Sequence, residues 1–100
     1  MSANRTWFVY LIECDDGSLY TGITVDLQSR FQVHLEGRGA RYMRLHRPLR
    51  MLGAEAHADR SAASKAEYRI KRLTAAEKRA YAARIAAGRL GALLPRSDET

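Results

Sequence analysis

The chain has 100 residues and a formal net charge of +6, and 46% of its residues are hydrophobic. This length suits a modest core, and the hydrophobic share argues against global disorder. A single cysteine excludes an internal disulfide framework, and the longest apolar stretch, residues 7–12, is too short to cross a bilayer. We therefore expect one cytoplasmic domain over residues 1–100, with a core at about 6–87 and a frayed tail at 95–100.

The first predicted element is a β-hairpin. Aromatic and β-branched residues flank the turn signal Asp15-Asp16-Gly17 and predict strands at 6–13 and 18–24. A three-residue loop that ends in glycine favours a type I turn closed by a left-handed residue. This loop length sets Ile12 opposite Tyr20.

Two tyrosines follow from that register as candidate site residues. Because side chains alternate along a strand, Tyr10 and Tyr20 point to the same face of the sheet. A two-residue loop would send them to opposite faces. The helix that comes directly after the hairpin carries Arg30 and His34 one turn apart. Two phenols on one face of the sheet beside an arginine are more typical of a functional site than of a hydrophobic core.

The first helix is predicted between residues Asp26 and Gly37. Asp26 is a suitable N-cap, and glycine commonly ends a helix. Leu27, Phe31 and Leu35 recur at i, i+4 and i+8 and predict the buried stripe. The arginine-rich residues that follow, 38–47, are predicted to form a loop.

A third strand and two more helices complete the pattern. Pro48 precedes a predicted strand at 49–57, and Asp59 or Ser61 can cap the second long helix. The apolar stripe of that helix is Ala62, Ala66, Ile70 and Leu73. Thr74 to Glu77 matches a capping box, so the last helix should run from there to about Ala87 and end at Gly88.

The predicted order β-β-α-β-α-α indicates a mixed α/β (α+β) domain. Its three-stranded antiparallel sheet should be packed by helices. Both faces of the hairpin carry apolar residues, so we expect helices on both sides of the sheet, at least in part. The single cysteine, Cys14, lies on an apolar strand and is most simply a buried thiol.

Most of the positive charge lies in one segment. The residues between Gly37 and Ala54 include no acidic side chain and five arginines: Arg38, Arg41, Arg44, Arg47 and Arg50. A solvated basic loop is the simpler interpretation. Arginine suits bidentate contacts with phosphate, and Tyr42 and His46 lie between the arginines as surfaces on which bases or sugars could stack. The pattern favours a nucleic acid partner over an acidic membrane surface.

The order of these features resembles the GIY-YIG nuclease superfamily, and in particular its small stand-alone bacterial members. The motifs that carry the resemblance are Val9-Tyr10-Leu11, Tyr20-Thr21-Gly22, Asp26 to Phe31 with Arg30, and Glu67. Each motif is common by itself, whereas their order and spacing are specific. The resemblance extends from residue 7 to about 73, and Val9 stands where the first motif has glycine.

The resemblance implies roles for four residues. Tyr10 matches the tyrosine often assigned as general base, and Tyr20 matches one assigned as base or as the group that positions water. Arg30 matches the signature arginine, which would stabilise charge on the phosphate. His34 would give a supporting proton or hydrogen bond, and with Arg30 it would bracket one phosphate. From the residues alone, His34 is equally well interpreted as a half-exposed capping histidine.

The resemblance also implies a metal ligand. A helical glutamate holds the single divalent ion in the superfamily, and Glu67 is its match, so Mg²⁺ or Mn²⁺ is the expected cofactor. Spacing alone favours a surface ion pair between Glu67 and Lys71. With a metal at Glu67, Lys71 would contact phosphate. The histidines lack zinc-ligand spacing, and Ser18 has no base beside it in the sequence.

Together these features predict a metal-dependent endonuclease that hydrolyses DNA phosphodiester bonds, with a role in DNA repair or recombination. DNA is preferred over RNA as the partner. The alternative is a catalytically silent nucleic-acid-binding module on the same fold. Only metal-dependent turnover separates the two, because both would bind phosphates and respond to salt.

Overall fold

A computed structural model of the protein describes residues 5–93, with side chains for residues 5–87. It contains three strands and four helices in the order β-β-α-α-β-α-α. Their bounds are β1 Trp7–Cys14, β2 Leu19–Thr24, α1 Leu27–Leu35, α2 Arg41–Leu45, β3 Pro48–His57, α3 Arg60–Lys71 and α4 Ala75–Leu93. No helix within this described part is both long and apolar enough to span a membrane.

The three strands form one antiparallel sheet in the order β2-β1-β3, so β1 is the central strand. This confirms the predicted mixed α/β fold with a three-stranded sheet. The register of the hairpin is also as predicted, with Ile12 opposite Tyr20. Gly17 closes the turn with φ +86°, and the N–H of Cys14 donates to the carbonyl of Ser18 over 2.9 Å. The turn chemistry therefore fixes which residues share a face.

One face of the sheet, here called the apolar face, packs against α3 and α4. Val9 and Leu11 of β1 are fully buried there, with Ala66 and Ile70 of α3 and Ala82 of α4. Each large side chain buried in this way contributes roughly 1.5–3 kcal/mol. The predicted stripe of α3 is confirmed at Ala66 and Ile70, although its first buried residue is Ala63 and not Ala62.

The opposite face, here called the tyrosine face, packs against α1 and α2. Its buried residues are Tyr10, Ile12 and Cys14 of β1, Met43 of α2 and Ala54 of β3. Tyr20 and Phe31 pack against this cluster and are partly buried. The predictions that the sheet is covered on both sides and that Cys14 is a buried thiol are confirmed.

The predicted helix caps are present. The carboxylate of Asp26 accepts from the N–H of Ser29 over 3.0 Å, and that of Asp59 accepts from the N–H of Ala62 over 2.9 Å. In the capping box, the N–H of Thr74 donates to the Glu77 carboxylate, and the N–H of Glu77 donates to the Thr74 hydroxyl. Gly37 ends α1 with φ +75°.

The predicted stripe of α1 is wrong at its last position. Leu35 is 49% exposed, whereas His34 is 1% exposed and faces the sheet. A helix returns to the same side after seven residues more closely than after eight, so the residue that follows Leu27 and Phe31 inward is His34. A hydrogen bond to Tyr10 gives the buried ring a polar partner.

Two further predictions need correction. Residues 38–47 are not all loop, because α2 forms within them and inserts Met43 into the tyrosine face. Burial of this side chain accounts for a helix that propensity alone would not support. Helix α4 continues through Gly88 to Leu93 with helical backbone. Glycine stops a helix when its backbone turns left-handed, and the left-handed glycines are Gly17 and Gly37. The predicted tail at 95–100 lies outside the described residues.

Candidate active site

Three rings meet on the tyrosine face. The centroids of Tyr10 and Tyr20 are 6.2 Å apart, and the His34 ring lies 6.0 Å from Tyr10 and 5.3 Å from Tyr20. A hydrogen bond of 3.0 Å joins the Tyr10 hydroxyl to Nε2 of His34. The hairpin supplies both phenols and α1 supplies the imidazole, so the register of the hairpin decides whether this cluster exists.

The His34 side chain belongs to the interior of the protein. Burial lowers the pKa of His34, and the nearby positive charge of Arg30 acts in the same direction. Nδ1 has no hydrogen-bond partner among the described residues. The histidine is therefore neither a half-exposed cap nor able to bracket a phosphate with the exposed Arg30. Its contact is with Tyr10, which it can hold in place.

Two glycines provide space for these rings because they have no side chain. A Cβ atom at Gly22 would stand 2.6 Å from the Tyr10 hydroxyl oxygen and 2.9 Å from a ring carbon of Tyr20. A Cβ atom at Gly39 would overlap Nδ1 of His34. Any larger residue at either position would have to displace a ring of the cluster. Sequence reasoning identified Gly22 only as part of a motif and did not single out Gly39.

Burial favours the neutral form of both phenols. It raises the pKa of Tyr10 well above its usual value, and the neighbouring Tyr20 adds to the rise while Arg30 opposes it. Burial also raises the pKa of Tyr20, against the opposing charge of Lys71. Both side chains are therefore neutral at physiological pH. Tyr20 is only partly buried and can contact water, whereas Tyr10 is 1% exposed.

Arg30, Glu67 and Lys71 stand around the phenols. The charges of Arg30 and Glu67 act on the pKa of both tyrosines, and that of Lys71 acts on Tyr20. Arg30 comes from α1, while Glu67 and Lys71 come from α3, which contacts β1 and β2. The fold thus brings together five predicted site residues that are up to 61 positions apart in sequence, from Tyr10 to Lys71.

Glu67 is the candidate metal ligand. Nζ of Lys71 lies 3.1 Å from its carboxylate, and the Glu67 side chain is 23% exposed. Within the described part of the chain no three His, Cys, Asp or Glu side chains cluster as a metal cage. A single accessible carboxylate fits Mg²⁺ or Mn²⁺, because such ions keep most of their waters and need few protein ligands. It does not fit an ion that requires several side chains.

The basic segment divides into paired and unpaired arginines. Arg38 pairs with Glu36, and Arg50 pairs with Glu13 over 2.8 Å. Arg41, Arg44 and Arg47 are exposed and form no ion pair with the described residues. Arg41 and Arg44 line a surface cleft of about 380 Å³ with Leu45. Within the basic segment, the arginines available to a polyanion are therefore Arg41 and Arg44 of α2 and Arg47, which follows this helix.

Tyr42 and His46, predicted as surfaces on which bases or sugars could stack, are both partly buried and contact other side chains of the protein. The Tyr42 ring stacks on Tyr20 with a centroid distance of 5.8 Å and on His46 with a centroid distance of 4.1 Å. Nδ1 of His46 lies 2.6 Å from Oδ2 of Asp16 in the hairpin turn. Tyr42 thus packs against two rings of the protein, and its stacking on bases or sugars stays a prediction. The contacts of Tyr42 with Tyr20 and of His46 with Asp16 leave no signal in the sequence, since each joins segments that are far apart along the chain.

Ser18 has no base beside it in the sequence, but the fold places a histidine next to it. Its hydroxyl oxygen lies 3.4 Å from Nδ1 of His46, and it donates to Oδ1 of Asp16 over 2.6 Å. Serine and aspartate therefore approach the same ring nitrogen, and the aspartate is closer. A catalytic triad needs them on opposite nitrogens, so this cluster is structural.

Comparison with known proteins agrees with the fold and the motif. The sequence profile of the GIY-YIG catalytic domain matches residues 6–81. A UPF0213 protein of Cupriavidus necator is 48% identical over 87 residues, which cover 87% of this chain and 95% of that protein. A UPF0213 protein of Xanthomonas axonopodis pv. citri is 49% identical over 81 residues, covering 81% and 79%.

Two solved structures share the fold. The solution NMR structure of a UPF0213 protein from Bacillus halodurans has a TM-score of 0.53 and 31% identity, covering 91% of this chain and 97% of that one. The solution NMR structure of a protein from E. faecalis has a TM-score of 0.55 and 36% identity, covering 81% and 86%. The chain belongs to the GIY-YIG catalytic domain family.

Proposed function

We propose that this protein is a metal-dependent endonuclease that hydrolyses phosphodiester bonds in DNA. The observation that carries the proposal is the convergence of two phenols, an exposed guanidinium and an accessible carboxylate from four different elements. These groups are Tyr10 of β1, Tyr20 of β2, Arg30 of α1 and Glu67 of α3. Phosphodiester hydrolysis needs a positioned water and relief of charge at the phosphoryl oxygens, and this set can supply both.

Tyr20 is the phenol that holds the attacking water. Burial raises its pKa further above physiological pH, so the neutral hydroxyl first orients water by hydrogen bonding. The positive charges of Lys71 and Arg30 lower the pKa of Tyr20 and would assist a later role as base. Tyr10, held by His34, lies behind Tyr20 and completes the wall of the site.

Arg30 stabilises negative charge on the phosphate. Its guanidinium is exposed and close enough to act on both phenols, so a phosphate held by it would lie beside the oriented water. A divalent ion held by Glu67, when bound, would polarise the phosphate and assist the leaving oxygen. Lys71 would release its pairing with Glu67 and contact a neighbouring phosphate.

The arginine surface supports a nucleic acid substrate. Arg41, Arg44 and Arg47 are exposed, and α2, which carries the first two, contacts the site through the stacking of Tyr42 on Tyr20. Phosphates of a bound strand would be held there while one of them reaches Arg30. We propose that such an endonuclease acts in DNA repair or recombination.

The test is cleavage of a labelled panel of single-stranded, duplex, flap and branched DNA, together with RNA. Each substrate is incubated with Mg²⁺, Mn²⁺ or a chelator, and the Glu67→Gln variant is compared with the wild type. Glu36→Gln is the matched control, since this carboxylate pairs with Arg38 and Gln32 away from the phenols. We expect metal-dependent cutting of DNA that falls by at least about 10²-fold in Glu67→Gln and is retained in Glu36→Gln.

Binding is measured on the same substrates by fluorescence anisotropy. Glu67→Gln should bind DNA as the wild type does, because it removes a negative charge from the site. Full cleavage by Glu67→Gln would contradict the metal assignment. Tight binding by the wild type with no cutting of any substrate would make the protein a nucleic-acid-binding module on a nuclease fold.

A further inference from the structure

Tyr42 occupies a position between the proposed site and the hairpin turn. Its ring stacks on Tyr20 with a centroid distance of 5.8 Å and an interplanar angle of 26°. It also stacks on His46 with a distance of 4.1 Å and an angle of 19°. A partly buried aromatic ring packed against two other rings has little freedom to move, and it restricts the rings it touches.

The outer end of this stack is anchored to the hairpin turn. Nδ1 of His46 lies 2.6 Å from a carboxylate oxygen of Asp16. That carboxylate also accepts from the hydroxyl and the N–H of Ser18, and these bonds with His46 hold the pKa of Asp16 well below its usual range. A backbone hydrogen bond of 2.9 Å from Asp15 to Arg47 ties the same two segments together.

The contacts therefore form a closed loop. Along the chain, Tyr20 is two residues from Ser18 at the hairpin turn. In the turn Asp16 pairs with His46, His46 stacks on Tyr42, and Tyr42 stacks on Tyr20. From β1 and α1, Tyr20 is approached by Tyr10 at 6.2 Å and His34 at 5.3 Å. Tyr42 is the neighbouring ring on the α2 side, where the free arginines also lie. Loss of Tyr42 would leave the Tyr20 ring unsupported on that side.

We propose that Tyr42 is a positioning residue that fixes the Tyr20 phenol through the Tyr42–His46–Asp16 stack. This inference deepens the proposed function and rests on it, since Tyr20 is there the group that orients water. A misplacement of a reacting group by about 1 Å can cost roughly 10²-fold in rate. The stack thus controls the chemical step, while the arginines of α2 hold the strand.

The test replaces the ring and follows both turnover and the Tyr20 ring itself. Tyr42→Leu keeps apolar volume and removes the stacking surface, Tyr42→Phe restores the ring, and Tyr68→Leu is the matched control on the exposed surface of α3. We expect Tyr42→Leu to lower kcat by about tenfold to a hundredfold with KM little changed, and Tyr42→Phe to recover most of the rate. Tyr68→Leu should cleave as the wild type does.

The independent readout is NMR with ring-labelled tyrosine. The Tyr20 ring resonances should shift in Tyr42→Leu and keep their position in Tyr42→Phe, because the stacked ring is the source of the shielding. If Tyr42→Leu does not fold by circular dichroism, His46→Leu replaces it, since this variant removes the support and leaves Tyr42 in place. His46→Leu should shift the same resonances and lower kcat.

Unchanged kcat and unchanged Tyr20 resonances in the folded Tyr42→Leu or His46→Leu variant would overturn the proposal. A rise in KM alone would also overturn it, because that result would make Tyr42 a substrate contact. If the wild-type protein cleaves nothing, the proposed endonuclease function fails, and the Tyr20 resonances alone then decide whether Tyr42 positions the phenol. The two failures are therefore distinguishable.

Discussion

The two faces of the sheet are built from the same strand but differ in what they bury. Val9 and Leu11 point to the apolar face and meet aliphatic side chains of α3 and α4. Tyr10 points to the opposite face and meets a second phenol and an imidazole, whose Nδ1 has no partner among the described residues. Burial of polar atoms costs free energy that aliphatic packing does not. The apolar face therefore serves stability, and the polar groups buried on the tyrosine face fit the catalytic role that we propose for it.

The largest expected effect lies on the apolar face. Leu11→Ala should lower the free energy of unfolding by about 2–5 kcal/mol, because it removes a fully buried side chain and leaves a cavity in the central strand. Urea denaturation measures the change. A decrease in the free energy of unfolding of less than about 1 kcal/mol would show that the apolar face is loosely packed. It would contradict the assignment of stability to this face.

A smaller loss of stability is expected on the tyrosine face. Tyr10→Phe keeps the ring and removes the hydroxyl that joins Nε2 of His34, so a buried nitrogen loses its partner. We expect the free energy of unfolding to fall by about 1–3 kcal/mol. Urea denaturation of Tyr10→Phe beside Tyr68→Phe, a change at an exposed tyrosine, isolates the buried hydrogen bond. Equal stability of the two variants would contradict the role of His34 as a fixed partner.

The pH dependence of stability should sharpen the same contrast. Burial places the pKa of His34 below that of the unfolded chain, so the unfolded state binds more protons in mild acid. His34 therefore makes the protein lose stability as pH falls below about 6.5, by at most about 1.4 kcal/mol per pH unit. His34→Gln should flatten this dependence between pH 7 and 5, measured by denaturant unfolding. An unchanged slope would mean that His34 titrates normally.

The smallest effect is expected outside the core. Arg44→Gln should weaken DNA binding and reduce the slope of log affinity against log salt by about 0.7–0.9, the value for one phosphate contact. Arg38→Gln is the matched control, because its guanidinium already pairs with Glu36. Anisotropy titrations at several salt concentrations compare the two. An equal loss in both variants would show that charge alone, and not the surface of α2, determines binding.

Local chemistry explains which parts of the fold could be predicted from sequence. Gly17 sets the hairpin register, and Asp26, Asp59 and the Thr74–Glu77 box set three helix starts, since each acts within a few residues. Resemblance to a known family singled out Arg30 and Glu67, which spacing alone would have left as surface charges. Their closeness to the phenols depends on how α1 and α3 pack.

The remaining features depend on contacts between distant segments. Helix α2 forms because Met43 is buried, and the hydrogen bond from β1 gives the inward-facing His34 ring a polar partner. The packing of Tyr42 against Tyr20 and the pairing of His46 with Asp16 join residues more than twenty positions apart. A local pattern of side chains holds no record of such contacts, and tertiary structure decides them.

The most direct test of the account is the single-turnover rate at which folded protein cuts DNA with Mg²⁺. Leu11→Ala, Tyr20→Phe and the wild type are compared on the substrate that the panel selects, at a temperature and pH where circular dichroism shows all three folded. We expect Leu11→Ala to cut at the wild-type rate per folded molecule and Tyr20→Phe, which loses the hydroxyl that orients water, to cut at least about 10²-fold more slowly. Equal rates for Tyr20→Phe and the wild type, or a larger loss in Leu11→Ala, would contradict the assignment of chemistry to the tyrosine face.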